Sequence, residues 1–178
     1  MDLTHNSDQA GQRELIRELI DILNLSAKHH RKLVDILRDK KQAIIDLKHE
    51  DVENILDLER EAIGSIATVD EERLRLTGEV AISLGNPGGS LMRLSEIILA
   101  VDDDLRDDLF EVRDELRDTA EELERLNQLN RSLTVNSVEH LNLFVAMLAG
   151  KDPESKTYTN SGFESDEGMP ALVINKRV

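Results

Sequence analysis

The chain has 178 residues, a length of one domain at ~100–200 residues each, with 22 Lys and Arg against 37 Asp and Glu, a net charge of −15 and no cysteine. Such acidity opposes phosphate backbones, and Phe110, Phe144, Tyr158 and Phe163 are too few to build a stacking platform, so nucleic acid is excluded as a partner. Without cysteine there is no disulfide framework, thiol nucleophile or thiolate zinc site.

The N-terminal residues carry neither a basic region nor an apolar run, so no secretory signal is read there and a soluble cytosolic protein is expected. Residues 1–11 are expected to be disordered. Gln12–Lys48 lacks Gly and Pro and reads as one helix. Ser7 or Asp8 can cap its approach, and Glu14 and Glu18 favour the positive end of its dipole. Two apolar stripes run along it at spacings of three and four. One passes through Leu15, Leu19, Ile22, Leu33 and Ile36; the other, offset by one, through Ile16, Ile20, Leu23, Val34 and Leu37. A face this wide exceeds a single coiled-coil seam and must touch more than one helix.

After a short joint at His49-Glu50, Asp51 is expected to cap a second helix carrying Val52, Ile55, Leu56, Ala62, Ile66, Val69, Leu76 and Val80. So short a joint makes the two helices antiparallel neighbours. The stretch from Gly85 to Ser90, with Pro87, Gly88 and Gly89, breaks the second helix. It also interrupts the longest uncharged run, Val80–Met92, which is too short for the ~20 apolar residues of a bilayer span. No membrane insertion is expected. Ser90 can cap a short helix with Leu91, Leu94, Ile97 and Ile98.

Asp102-Asp103-Asp104 then opens a third long helix, acid in the first turn being favoured by the dipole. It runs to Ala149, about 70 Å at 1.5 Å per residue, and Gly150 is a C-terminal stop. Its stripe passes through Leu105, Leu109, Val112, Leu116, Thr119, Leu123, Leu126, Asn130, Leu133, Ser137, His140, Phe144 and Met147. Residues 151–178 carry Pro153, Gly162, Gly168 and Pro170 and no heptad, and read as a mobile tail. The predicted fold class is all-α: an elongated antiparallel bundle of three long helices plus a short one over residues 12–150, then the tail.

Charge is uneven along this plan. Residues 51–150 hold nine Arg, no Lys and 23 acids, whereas residues 1–50 are neutral. The excess reads as a solvated face, or as a steering surface for a basic partner.

Catalysis would need a constellation of groups. A di-metal carboxylate bundle uses paired Glu-x-x-His motifs, and Ser26, Ala27, Asp46 and Ser137 stand three residues before His29, His30, His49 and His140. His29-His30-Arg31-Lys32 superficially matches the His-x-x-Lys of a histidine phosphotransfer bundle, with Leu33 where that pattern has Gly. The Gly-rich stretch has no following Lys-Ser/Thr, so it is no phosphate loop. No enzyme, metal or cofactor is expected.

What stands out is surplus apolar surface. From Leu126 to Ala149 apolar residues occupy more than one face, and only Arg131, Glu139 and His140 interrupt them with charge. One stripe suffices for a bundle helix, so something must cover the rest. The cover is the protein's own first helix or tail, a second copy, or an amphipathic partner helix seated in a groove. A homodimer is left open. Asn127 and Asn130 share a face; a seam Asn fixes register or partner number, or else one is buried and bonded and the other exposed.

Leu126-Asn127-Gln128-Leu129-Asn130-Arg131-Ser132-Leu133 resembles the Leu-Asn-x-x-Asn-x-x-Leu stretch of the FlgN family of flagellar type III export chaperones. The apolar segment Leu141–Gly150 follows, then Thr157-Tyr158, with Thr159-Asn160-Ser161 before Gly162. Asp39-Lys40-Lys41-Gln42-Ala43-Ile44, Asp51 and Glu71-Glu72-Arg73 fall in the family's order, and the similarity spans residues 15–162. The resemblance implies a cytosolic chaperone, free of cofactors, that masks the amphipathic terminal helices of hook-associated flagellar proteins and delivers them to the export gate. It implies a cargo site on the third long helix, for which the apolar surplus offers Leu126, Leu129, Asn130, Leu133, Val138, Leu141, Phe144, Val145 and Leu148. It implies gate docking through Tyr158 and Gly162. A self-associating coiled-coil adaptor and a phosphotransfer module are the alternatives.

Overall fold

The computed structural model describes residues 3–86 and 92–150, with side chains from residue 9. The chain forms four helices: α1 (Leu3–Ile45), α2 (His49–Ser83), α3 (Leu94–Ala100) and α4 (Asp103–Leu148). No strand occurs among the described residues, as the helical period required. Two compact units divide the chain at residues 1–136 and 137–178. The division falls inside α4, a few turns from Asn130, the last buried residue of that helix.

In the first unit α1 and α2 are antiparallel. Lys40 meets Glu59 at 2.7 Å near their joint, and at the far end Gln12 Nε2 donates to the Ser83 carbonyl at 3.0 Å. The third member, α4, lies beside α1 and runs in the same direction. Arg13 pairs with Asp102 at 2.5 Å and also with Asp104, Arg31 pairs with Glu115 at 2.7 Å, and Arg38 pairs with Glu122 at 3.4 Å. Arg125 and, more weakly, Arg38 hold the Glu122 carboxyl down to about 2. The stabilisation of that carboxylate, mainly by Arg125 of its own helix, is therefore fully present above the ordinary glutamate value of 4.5 and is lost as pH falls through about 2.

Both stripes of α1 are used, as their width required. Ile16, Leu19, Ile20, Leu23 and Ala27 join Leu76 and Val80 of α2, Ile97 and Ile98 of α3, and Leu105, Leu109 and Val112 of α4 in one core. Leu33, Val34, Ile36 and Leu37 join Ala62 of α2 and Leu126 of α4 in a second. Truncating a fully buried leucine such as Leu37 or Leu109 costs about 2–5 kcal/mol. Helix α3 is too short to persist alone, so its fully buried Ile97 and Ile98 hold it in place. Arg106 of α4 completes that corner, with Nε donating to the Ile98 carbonyl at 3.1 Å and Nη2 to the Val101 carbonyl at 2.9 Å.

Helix ends differ most from expectation. The segment expected to be disordered, 1–11, is helical from Leu3, and Ser7 and Asp8 fall inside α1 instead of capping it. No proline breaks this stretch, and the interior Gly11 costs only ~1 kcal/mol. Asp51 likewise sits in the first turn of α2, whose N-cap is Lys48. The expected cap Ser90 and its neighbour Leu91 lie outside the described residues.

The C-terminal ends share one device. At α1, Lys48 N–H bonds the Ala43 carbonyl and Leu47 N–H the Ile44 carbonyl; at α2, Asn86 bonds Ala81 and Gly85 bonds Ile82 in the same pattern. Both are Schellman caps, which place the residue after the helix in the left-handed region. Gly85 (φ 87°) suits it; Leu47 (φ 55°) does not, because its Cβ crowds the carbonyl oxygen. Leu47→Gly is expected to raise the free energy of unfolding by about 1 kcal/mol, measured by urea denaturation. A loss of stability would mean that the Leu47 side chain contributes more than its backbone strain costs.

Candidate functional site

A concavity of about 300 Å³ in the first unit is lined by Leu19, Leu23, Ser26, His30, Asp70, Arg73, Thr77, Met92, Leu94, Ile97, Leu116 and Ala120. Its polar groups are engaged with one another. His30 Nδ1 donates to the Ser26 carbonyl at 2.8 Å, which puts the ring proton on that nitrogen. Asp70 accepts from Arg73 Nε at 2.9 Å, and the Thr77 hydroxyl donates to the Arg73 carbonyl at 2.7 Å. The position after His29-x-x-Lys32 is filled by Leu33, a core residue, rather than by the open approach that phosphotransfer needs. Among the described residues no three His, Asp or Glu side chains gather as metal ligands would.

Helix α4 sorts the expected cargo residues into two groups. Leu126 is 0% exposed and belongs to the second core, so it is not available to a partner. Asn130, at 4%, is also interior: its Nδ2 donates to the Leu37 carbonyl of α1 at 2.9 Å, while its Oδ1 has no partner among the described residues. Asn127 is exposed, which is the buried-and-exposed arrangement of the two asparagines. Leu129 and Leu133 are half-buried in the first unit.

In the second unit the helical residues face water. Val138, Leu141 and Val145 are exposed, Phe144 is 58% exposed and Leu148 73%. Val138, Leu141, Val145 and Leu148 recur at three, four and three residues and form one stripe, with Phe144 at its edge. Leu143 and Met147 are exposed as well, although the heptad had placed Met147 on the core seam. A heptad marks where an apolar side chain stands and carries no signal of whether a neighbour covers it. Monomers seldom leave so much contiguous apolar surface in water without a use for it. Tyr158 and Gly162 lie outside the described residues.

The chain matches the model of the FlgN protein family over residues 15–165 and belongs to that family, one of flagellar export chaperones. No curated protein and no solved structure matches it.

The buried amide generates a test of its own. Asn130→Asp removes the donor to Leu37 and leaves a carboxylate in the interior, and is expected to destabilise by about 3 kcal/mol in urea titration at neutral pH. Asn130→Leu removes an unsatisfied acceptor and is expected to stay within about 1 kcal/mol of the parent. Equal, small effects of both would show that Asn130 is not held in the interior.

Proposed function

We propose that this FlgN-family chain is a cytosolic export chaperone that binds the amphipathic terminal helices of hook-associated flagellar proteins. It would keep them from assembling early and deliver them to the type III export gate. The cargo face is Val138, Leu141, Phe144, Val145 and Leu148, and the observation that carries the reading is their exposure along one stripe of α4. A partner helix with its own apolar stripe would cover them in the helix-in-groove mode. Full burial of a Leu or Phe is worth about 1.5–3 kcal/mol, so covering these half-exposed residues contributes roughly 1 kcal/mol each. The entropy of association and of ordering the cargo helix offsets part of that gain. The balance suits a complex that must later release.

Membership in a chaperone family supports the reading, and the matched range includes both the stripe and Tyr158. In the first unit no helix is long and apolar enough to cross a membrane, and the same holds for every described helix. Handover is assigned to Tyr158 and Gly162: an aromatic side chain with a polar tip, in a Ser- and Gly-bearing segment, is well suited to anchor an interface.

Two variants separate these roles. Phe144→Ala is expected to leave the urea midpoint almost unchanged, because the ring is mostly in water, and to weaken binding of a hook-protein terminal helix about tenfold, which is about 1.4 kcal/mol. Tyr158→Ala is expected to keep cargo affinity and melting temperature and to lower cargo secretion. A folded Phe144→Ala protein with full affinity would remove this face from the cargo site. A Tyr158→Ala protein that loses cargo binding would assign that ring to cargo instead of the gate.

A further inference from the structure

We infer that the exposed stripe of α4 is also the seat of a segment of this same chain, Met169–Ile174, which occupies it when no partner is bound. The inference does not rest on the cargo reading, since it concerns the second unit alone. The stripe comprises Val138, Leu141, Val145 and Leu148, with Phe144 beside it. Past it α4 closes at Gly150, whose N–H bonds the Met147 carbonyl at 3.0 Å and whose φ of 68° is left-handed. A left-handed residue at this position turns the chain off the helix axis and, in the Schellman arrangement, back toward the last turn.

The chain continues for 28 residues, and Met169-Pro-Ala-Leu172-Val173-Ile174 is their one apolar run. The 18 residues between Gly150 and Met169 would span about 23 Å as a coil. The stripe from Val138 to Leu148 is about 15 Å long at 1.5 Å per residue. Six extended residues cover about 20 Å, so run and stripe match in length and the connection suffices to join them.

Charge fixes the direction. Glu139 is the only carboxylate between Ser137 and Gly150, and it is exposed. The apolar run is followed by Lys176 and Arg177. Laid back antiparallel to α4, as the turn at Gly150 favours, the run brings this basic pair to the Glu139 end of the stripe. A tether matched to its span gives an effective concentration in the millimolar range, so even a weak intrinsic contact keeps the stripe largely covered. A partner helix then binds with an affinity reduced by the uncovered fraction.

The chain's lack of cysteine allows a direct test on the full-length protein. Asn175→Cys, carrying a nitroxide spin label, puts the probe just beyond the apolar run. Amides from Val138 to Leu148 are expected to lose more than half of their NMR intensity. The loss should be independent of protein concentration and should be abolished by Leu172→Asp with Ile174→Asp. Undiminished intensities would overturn the inference. So would broadening that appears when spin-labelled chains are mixed with unlabelled isotope-enriched ones, since the occupant would then be a second copy. Neither result bears on whether hook-protein helices bind, so failure here leaves the cargo reading standing.

Discussion

The wide apolar face of α1 can leave water only if two other long helices cover it at once, and the first unit follows from that requirement. Each stripe of α1 supplies half of two cores, and Leu19 and Leu37 are both fully buried. The short joint after Ile45 sends α2 back along α1. Covering the remaining stripe then needs a third helix running parallel to α1, so the chain must reverse once more after α2. The Gly85 cap, α3 and the Arg106 contacts to the end of α3 accomplish that reversal. Ion pairs such as Arg31–Glu115 sit at the rim and are worth little individually; they report the parallel course of α1 and α4 more than they set the stability. A better candidate for setting register is Asn130, because an interior amide N–H reaches its acceptor, the Leu37 carbonyl, in only one alignment.

Helix α4 is uninterrupted from Asp103 to Leu148, yet its residues meet two different environments. As far as Asn130 the stripe is interior. From Val138 onward side chains of the same type stand in water. Continuity keeps these exposed side chains at fixed spacing, without the ordering cost that a loop would incur. The acidic surplus of residues 51–150 lies mainly outside that stripe, where it favours solubility while leaving the apolar residues unobstructed.

The helices were legible because apolar residues recurring at three and four cannot lie on one side of a strand. The double stripe of α1 forecast two neighbours, and the acids at 102–104 marked the start of α4 to within a residue. Helix ends were less legible. Ser7, Asp8 and Asp51 look like caps in sequence, but capping residues are also tolerated inside the first turns of a helix, and Leu47 shows a backbone motif forming without the glycine that usually advertises it. For the site, the surplus of apolar residues after Leu126 was legible, while its division was not. Leu126 and Met147, three heptads apart, occupy equivalent positions, and only the packing of other helices makes one core and leaves the other in solvent. The resemblance to export chaperones came from the Leu-Asn-x-x-Asn-x-x-Leu stretch, whose second asparagine proves to be interior. That motif is therefore in part a signature of bundle packing.

The central claim is that the last turns of α4 receive a helix while the bundle of the first unit stays as it is. Hydrogen exchange followed residue by residue, with and without a synthetic terminal helix of a hook-associated protein, addresses this directly. The account predicts slowed exchange confined to the segment from Val138 to Leu148, with Leu19, Leu37 and Leu109 unchanged. Slowed exchange that instead centres on the cavity around Ser26 and His30, or none anywhere at saturating peptide, would contradict it.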